Sequence, residues 1–193
     1  MTPQRVPEAV AIGASTGGVE ALIALLGALP RSFEPTLLIV MHIPATNEGL
    51  LVNVLGPHCL LPVREAEDKD PVQAGSVYVA PPGYHLLVEP ARTLALSVDE
   101  PVNFCRPSVD VLFESAAYAY REKLLGIVLT GANDDGARGL KAVREAGGLA
   151  WVQDPDTALA RAMPQCALQY AGADLILSLA DLATELAALG RPR

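Results

Sequence analysis

The sequence predicts an α/β fold, a doubly wound, mostly parallel sheet flanked by helices, with a small β-hairpin insertion. Three observations carry that expectation. Short apolar runs alternate with stretches whose apolar residues recur at helical spacing. The run from Thr36 to Met41 is apolar throughout, as a strand buried on both faces should be. Hydrophobic residues make up 51% of the chain but aromatics only 5%. The apolar content is therefore mainly Ala, Leu and Val, which suits helices packed on a buried parallel sheet.

Each element follows in order. Residues 9–12 read as a strand that ends in a Gly-rich turn. Val19, Leu22, Ile23, Leu26 and Leu29 then mark a helix closed by Pro30. After the strand 36–41, a helix is expected over about residues 47–55. Residues 65–75 are charged and turn-rich, and 77–80 read as a strand. Residues 84–89 and 94–98 pair as a hairpin around Pro90. Val109, Leu112, Phe113, Ala116 and Tyr120 form a helical stripe, with Ser108 as its expected N-cap. Strands are expected at 124–130, 149–152 and 173–177. A helix to about Ala146 is closed by Gly147 and Gly148. Ser178 and Asp181 open the last helix as a capping box.

The bulk properties exclude several functions. A length of 193 residues suits a single domain over 1–193. The net charge is −8 with no dense Lys/Arg run, so neither nucleic acid nor an acidic membrane surface is an expected partner. No apolar run is long enough to span a bilayer, and residues 9–29 lack the character of a signal peptide. A cytoplasmic protein with no membrane insertion is the expectation. Cys59, Cys105 and Cys166 are scattered and odd in number. They read as buried free thiols, with no disulfide framework and no zinc site.

In doubly wound folds, chemistry gathers at the carboxyl ends of the strands. Residues 13–18, 41–44 and 130–136 reach that edge with reactive side chains. Gly13-Ala14-Ser15-Thr16-Gly17 has the G-x-S-x-G pattern of a nucleophile elbow in a strand–turn–helix context. Backbone N–H groups at the following helix start could stabilise an oxyanion. A serine N-cap is the plainer reading of the same turn. A dinucleotide loop is disfavoured because Ser15 stands where its second glycine belongs. A serine nucleophile needs a base. His42 directly follows a strand and so shares an edge with Ser15, which favours it over His85; His58 lies beyond a helix. The base needs an orienting carboxylate. Asp134 and Asp135 both qualify, and helix capping would account for one of them.

These residues resemble the CheB family of protein-glutamate methylesterases. The resemblance rests on residues 12–18 around Ser15, Met41-His42-Ile43-Pro44, Val77 to His85, Arg106 to Phe113, Leu129-Thr130-Gly131 with Asp135-Gly136, and Met163-Pro164. It runs from about Ala9 to Leu189. It implies Ser15 as nucleophile, His42 as general base and Asp135 as the orienting carboxylate. Thr16 and Ala132 would line the oxyanion pocket, and His85 would be structural or substrate-side. No metal or cofactor is implied. The implied reaction is hydrolysis of glutamate γ-methyl esters on methyl-accepting chemotaxis receptors or a similar signalling protein, releasing methanol. Deamidation of receptor glutamines is implied as well. The alternatives are an esterase of a non-chemotaxis signalling system and a catalytically silent partner-binding module.

The chain departs from the family at two points. Ala132 and Asn133 stand where the family usually has Met and Gly. A backbone donor at 132 survives the change, and Asn can take the left-handed conformation that Gly often supplies. Family members also usually carry a receiver domain before the esterase domain. About eight residues precede the first strand here, so no receiver and no control by phosphorylation in cis are expected.

Overall fold

The structure, a computed structural model, describes residues 6–43 and 49–190. Its centre is a seven-stranded, wholly parallel sheet. In chain order the strands are β1 (Ala9–Ala14), β2 (Thr36–Met41), β3 (Val63–Glu65), β4 (Val77–Val79), β7 (Leu124–Val128), β8 (Leu149–Gln153) and β9 (Leu175–Leu177). Across the sheet their order is β3-β4-β2-β1-β7-β8-β9. β5 (His85–Val88) and β6 (Leu94–Ser97) form the separate antiparallel hairpin. The helices are α1 (Gly18–Gly27), α2 (Leu50–Leu55), α3 (Val109–Tyr120), α4 (Ala137–Glu145), α5 (Ala162–Tyr170) and α6 (Leu179–Ala188).

β1 and β2 are buried along their whole length, which explains why they show no polar alternation. Two apolar layers cover the sheet. On one face Val109, Leu112 and Phe113 of α3 and Leu140 of α4 meet Ala11, Leu38 and Val128. On the other, Leu22, Leu25 and Leu26 of α1 and Leu182 and Leu186 of α6 meet Val10, Ile12 and Ile127. Each fully buried Leu contributes about 1.5–3 kcal/mol relative to exposure. No helix of the described residues is long and apolar enough to cross a membrane.

Two elements were not expected from the pattern. β3 is a half-exposed edge strand carrying Arg64 and Glu65, charges that blunt an edge and also hide it from a periodicity reading. α5 contains Pro164, which is tolerated because it sits in the first turn, where its missing N–H has no intrahelical partner to lose. The helix expected over residues 47–55 is α2 from Leu50; its expected start and Pro44 lie outside the described residues.

Candidate active site

β2, β1 and β7 are neighbours, so the turns after them lie side by side at the carboxyl edge. The chain reverses direction across the sheet between β1 and β7, the place where such folds open a crevice. The Ser15 N–H donates to the Thr130 carbonyl (3.0 Å), and the His42 N–H donates to the Ala14 carbonyl (3.2 Å). These two bonds tie the Ser15 turn to its neighbours on both sides.

Ser15 does not cap α1. The N-cap is Gly17, at φ 76°, and no side chain caps the helix. Gly17 is required there because the left-handed conformation strains other residues and a Cβ would press on Leu159 at 2.8 Å. On the other side of Ser15, Gly131 leaves no room for a side chain. A Cβ there would overlap the Met163 sulfur and stand 3.0 Å from Ser15 Cβ. The loop ahead of α5 clamps this turn. Gly131 N–H donates to Ala160 O and Met163 N–H to Gly131 O, both at 2.9 Å. Thr130 Oγ1 donates to the Thr16 carbonyl (2.8 Å) and accepts from the Ala160 N–H (2.9 Å). Buried Gln153 accepts from the Thr130 N–H (2.9 Å).

Asp135 is fully buried and Asp134 is exposed. The Asp135 carboxylate sits on the N-terminus of α3. Oδ2 accepts from Val109 N–H (2.6 Å) and faces His42 Nε2 at 2.8 Å. Oδ1 accepts from Ser108 Oγ (2.8 Å), Asp110 N–H (3.1 Å) and Asn103 Nδ2 (3.1 Å). Ser108 holds the N-cap position, yet its hydroxyl makes no cap bond and donates to Asp135 instead. The carboxylate of a distant turn therefore satisfies the helix donors, and the helix dipole favours its charge. Burial raises the Asp135 pKa, but the His42 ring and these donors outweigh it and hold the carboxyl below its usual range.

Because Nε2 faces Asp135, Nδ1 is the His42 nitrogen left for chemistry. Burial works to lower the His42 pKa, but hydrogen bonding to Asp135 and the neighbouring Cys105 thiol raise it to about 9. His85 is only 2% exposed and has its own partners. Its Nε2 pairs with the Glu100 carbonyl (3.1 Å), and its Nδ1 accepts from the Ser108 N–H (3.2 Å). That makes it a support for the α3 start. His58 is exposed in the short helical turn after α2.

Thr16 and Ala132 are both exposed. Among the described residues neither backbone N–H has an acceptor. Asn133 is not among the residues with positive φ, so it does not use the left-handed conformation open to Asn. Its side chain is used instead. Oδ1 accepts from the Asp135 N–H (3.3 Å), and Nδ2 lies 3.4 Å from His42 Nδ1 and 3.3 Å from Cys105 Sγ. Nothing in the sequence pattern points to Asn103 or Cys105, since both reach this centre only through the fold. The three cysteines are free but partly exposed, not buried as expected. An opening of about 270 Å³ over His42 is lined by Ile43, Phe104, Cys105, Arg106 and Pro107.

Residues 10–186 match the CheB methylesterase family model. A relative from Leptospira interrogans serogroup Icterohaemorrhagiae is 48% identical over 176 residues, covering 91% of each chain. The protein-glutamate methylesterase/protein-glutamine glutaminase of Trichodesmium erythraeum is 41% identical over 182 residues, covering 93% of this chain and 52% of that protein. The crystal structure of the Thermotoga maritima CheB methylesterase catalytic domain superposes with a TM-score of 0.90 at 31% identity, over 95% of this chain and 98% of that one. The chain belongs to the CheB methylesterase family.

Proposed function

We propose that the chain is a serine esterase that hydrolyses glutamate γ-methyl esters on methyl-accepting chemotaxis receptors, releasing methanol, and that it also deamidates receptor glutamines. The reaction would take place in the cytoplasm. The observation that carries this reading is the buried Asp135 carboxylate, fixed 2.8 Å from His42 Nε2 beside the Ser15 turn.

In the reaction, Asp135 holds the ring so that Nε2 keeps its proton and Nδ1 accepts one. Ser15 Oγ attacks the ester carbonyl as its proton passes to Nδ1. The tetrahedral oxyanion forms beside the Thr16 and Ala132 N–H groups, which have no other acceptor among the described residues and so are suited to receive it. The protonated ring then gives its proton to the methoxide, and methanol leaves. Water, deprotonated by the same nitrogen, cleaves the glutamyl-serine ester and regenerates Ser15. A glutamine follows the same course with ammonia as the leaving group. Amide hydrolysis is slower because the nitrogen must be protonated before it departs.

Methanol release from methylated receptor membranes tests the proposal. Ser15→Ala should lower the rate by on the order of 10⁴-fold while leaving the fold intact. Near-wild-type release by that variant would contradict the nucleophile assignment. A silent binding module would release no methanol in either form.

A further inference from the structure

We propose that His42 and Cys105 form a binding site for a borderline-soft divalent cation of the zinc class, and that an ion bound there switches the esterase off. The binding rests on geometry alone; the inhibition rests on the esterase reading above.

Cys105 has no part in the reaction just described, yet it stands at the base. Its sulfur donates to the Asn103 carbonyl at 3.3 Å and accepts from Asn133 Nδ2 at 3.3 Å. The same amide nitrogen lies 3.4 Å from His42 Nδ1. The thiol and the free ring nitrogen thus front one point, which the Asn133 amide fills. Among the described residues, His42, Cys105 and Asp135 are the one group of three metal-ligating side chains whose ligand atoms all lie within 4.8 Å of one another.

The donor chemistry fits a zinc-class ion. Thiolate sulfur and imidazole nitrogen are its favoured ligands, and the ion itself drives off the thiol proton. Bonds of about 2.0 Å to nitrogen and about 2.3 Å to sulfur set the two ligand atoms roughly 3.5 Å apart around a tetrahedral ion. His42 Nδ1 and Cys105 Sγ lie 3.4 Å and 3.3 Å from the Asn133 amide nitrogen, so an ion in its place faces both. Asp135 is already in place as the outer partner. By accepting from Nε2–H it fixes the ring and makes Nδ1 more basic, as carboxylates do behind ligating histidines. Rotation of the Asn133 side chain clears the point and can present its amide oxygen, and water completes the coordination. The opening over His42 and the partial exposure of Cys105 supply the entry path. An ion on Nδ1 occupies the lone pair that would take the Ser15 proton, so catalysis stops.

The test titrates the full chain with Co²⁺ alone and records its absorption spectrum. A stoichiometric thiolate-to-cobalt charge-transfer band is expected, and Zn²⁺ should displace it. The band should vanish in Cys105→Ser and Cys105→Ala and persist in Cys59→Ser, Cys166→Ser and Ser15→Ala, with thermal unfolding used to verify that each variant is folded. Ester hydrolysis is then measured against Zn²⁺. Cys105→Ser should need roughly tenfold more Zn²⁺, or greater, for half-inhibition. No charge-transfer band, a band that survives loss of Cys105, or equal Zn²⁺ sensitivity of wild type and Cys105→Ser would overturn the proposal. A chain that gives the band but hydrolyses no ester would keep the metal site and overturn the esterase reading.

Discussion

At the carboxyl edge of the sheet the Asp135 side chain is fully buried, whereas at the amino edge the Glu8 side chain is 37% exposed. Both carboxyls are held below their usual range, but for different reasons. Glu8 is held there chiefly by Lys123, against a burial penalty, with Arg92 adding to the effect. Its partners are long cationic side chains that water can replace. Asp135 faces a larger burial penalty, and its donors include two backbone N–H groups of α3 and a hydroxyl that cannot move away. The difference teaches that a carboxylate can orient a base only where the fold has removed its alternatives. A surface ion pair shifts a pKa without fixing a geometry.

Removing the buried acceptor should have the largest effect. Asp135→Ala leaves Val109 N–H, Asp110 N–H, Ser108 and His42 without their partner and Asn103 with Asp110 alone. It should cost about 3–5 kcal/mol of unfolding free energy and on the order of 10⁴-fold in ester hydrolysis. Denaturant unfolding and methanol release measure the two losses separately. A destabilised variant with ordinary activity would show that Asp135 only caps a helix.

The pH profile should show the next largest effect. With its pKa raised to about 9, His42 is protonated at neutral pH and must lose that proton to act as a base. Ester kcat/KM should therefore climb as pH rises toward 9, and Cys105→Ser should move the midpoint down by removing one cause of the shift. Stability moves the other way. The His42 contribution is complete below the unfolded value of 6.5 and is lost as pH rises through about 9. The Asp135 contribution is present above the unfolded value of 3.8 and is lost as pH falls through the lower folded one. A flat rate profile from pH 6 to 9 would contradict this ordering.

Residue 132 offers a smaller change at the same edge. Ala132 is exposed and next to the Gly131 turn, so Ala132→Met should narrow the pocket and lower the ratio of ethyl- to methyl-ester hydrolysis by a few-fold, the scale of a lost methylene-sized fit. An unchanged ratio would place residue 132 away from the leaving group. At the amino edge Glu8→Gln should cost about 1 kcal/mol or less, with no effect on rate. A larger loss there would erase the contrast between the two edges.

Local pattern made much of this fold legible. The strand Thr36–Met41 and the helix Val109–Tyr120 occur where apolar continuity and helical spacing place them. The carboxyl edge was legible too, because parallel strands carry their following turns to one side. The arrangement inside that edge was not. Whether Asp134 or Asp135 points inward depends on the exact path of one turn, which composition does not encode. Ser108 looked like an ordinary N-cap because nothing local reveals that a carboxylate from another turn takes over the helix donors. The side-chain role of Asn133 was missed for the same reason, since its partners His42 and Cys105 come from other segments. β3 was hidden by the charges on its own exposed edge.

If His42, fixed by Asp135, activates the Ser15 hydroxyl, then labelling with a small fluorophosphonate, read by intact mass and peptide mapping, should give a single adduct on Ser15, formed rapidly by the wild-type chain and lost in His42→Ala. An adduct elsewhere, or a chain that hydrolyses ester while Ser15 stays unlabelled, would contradict that activation.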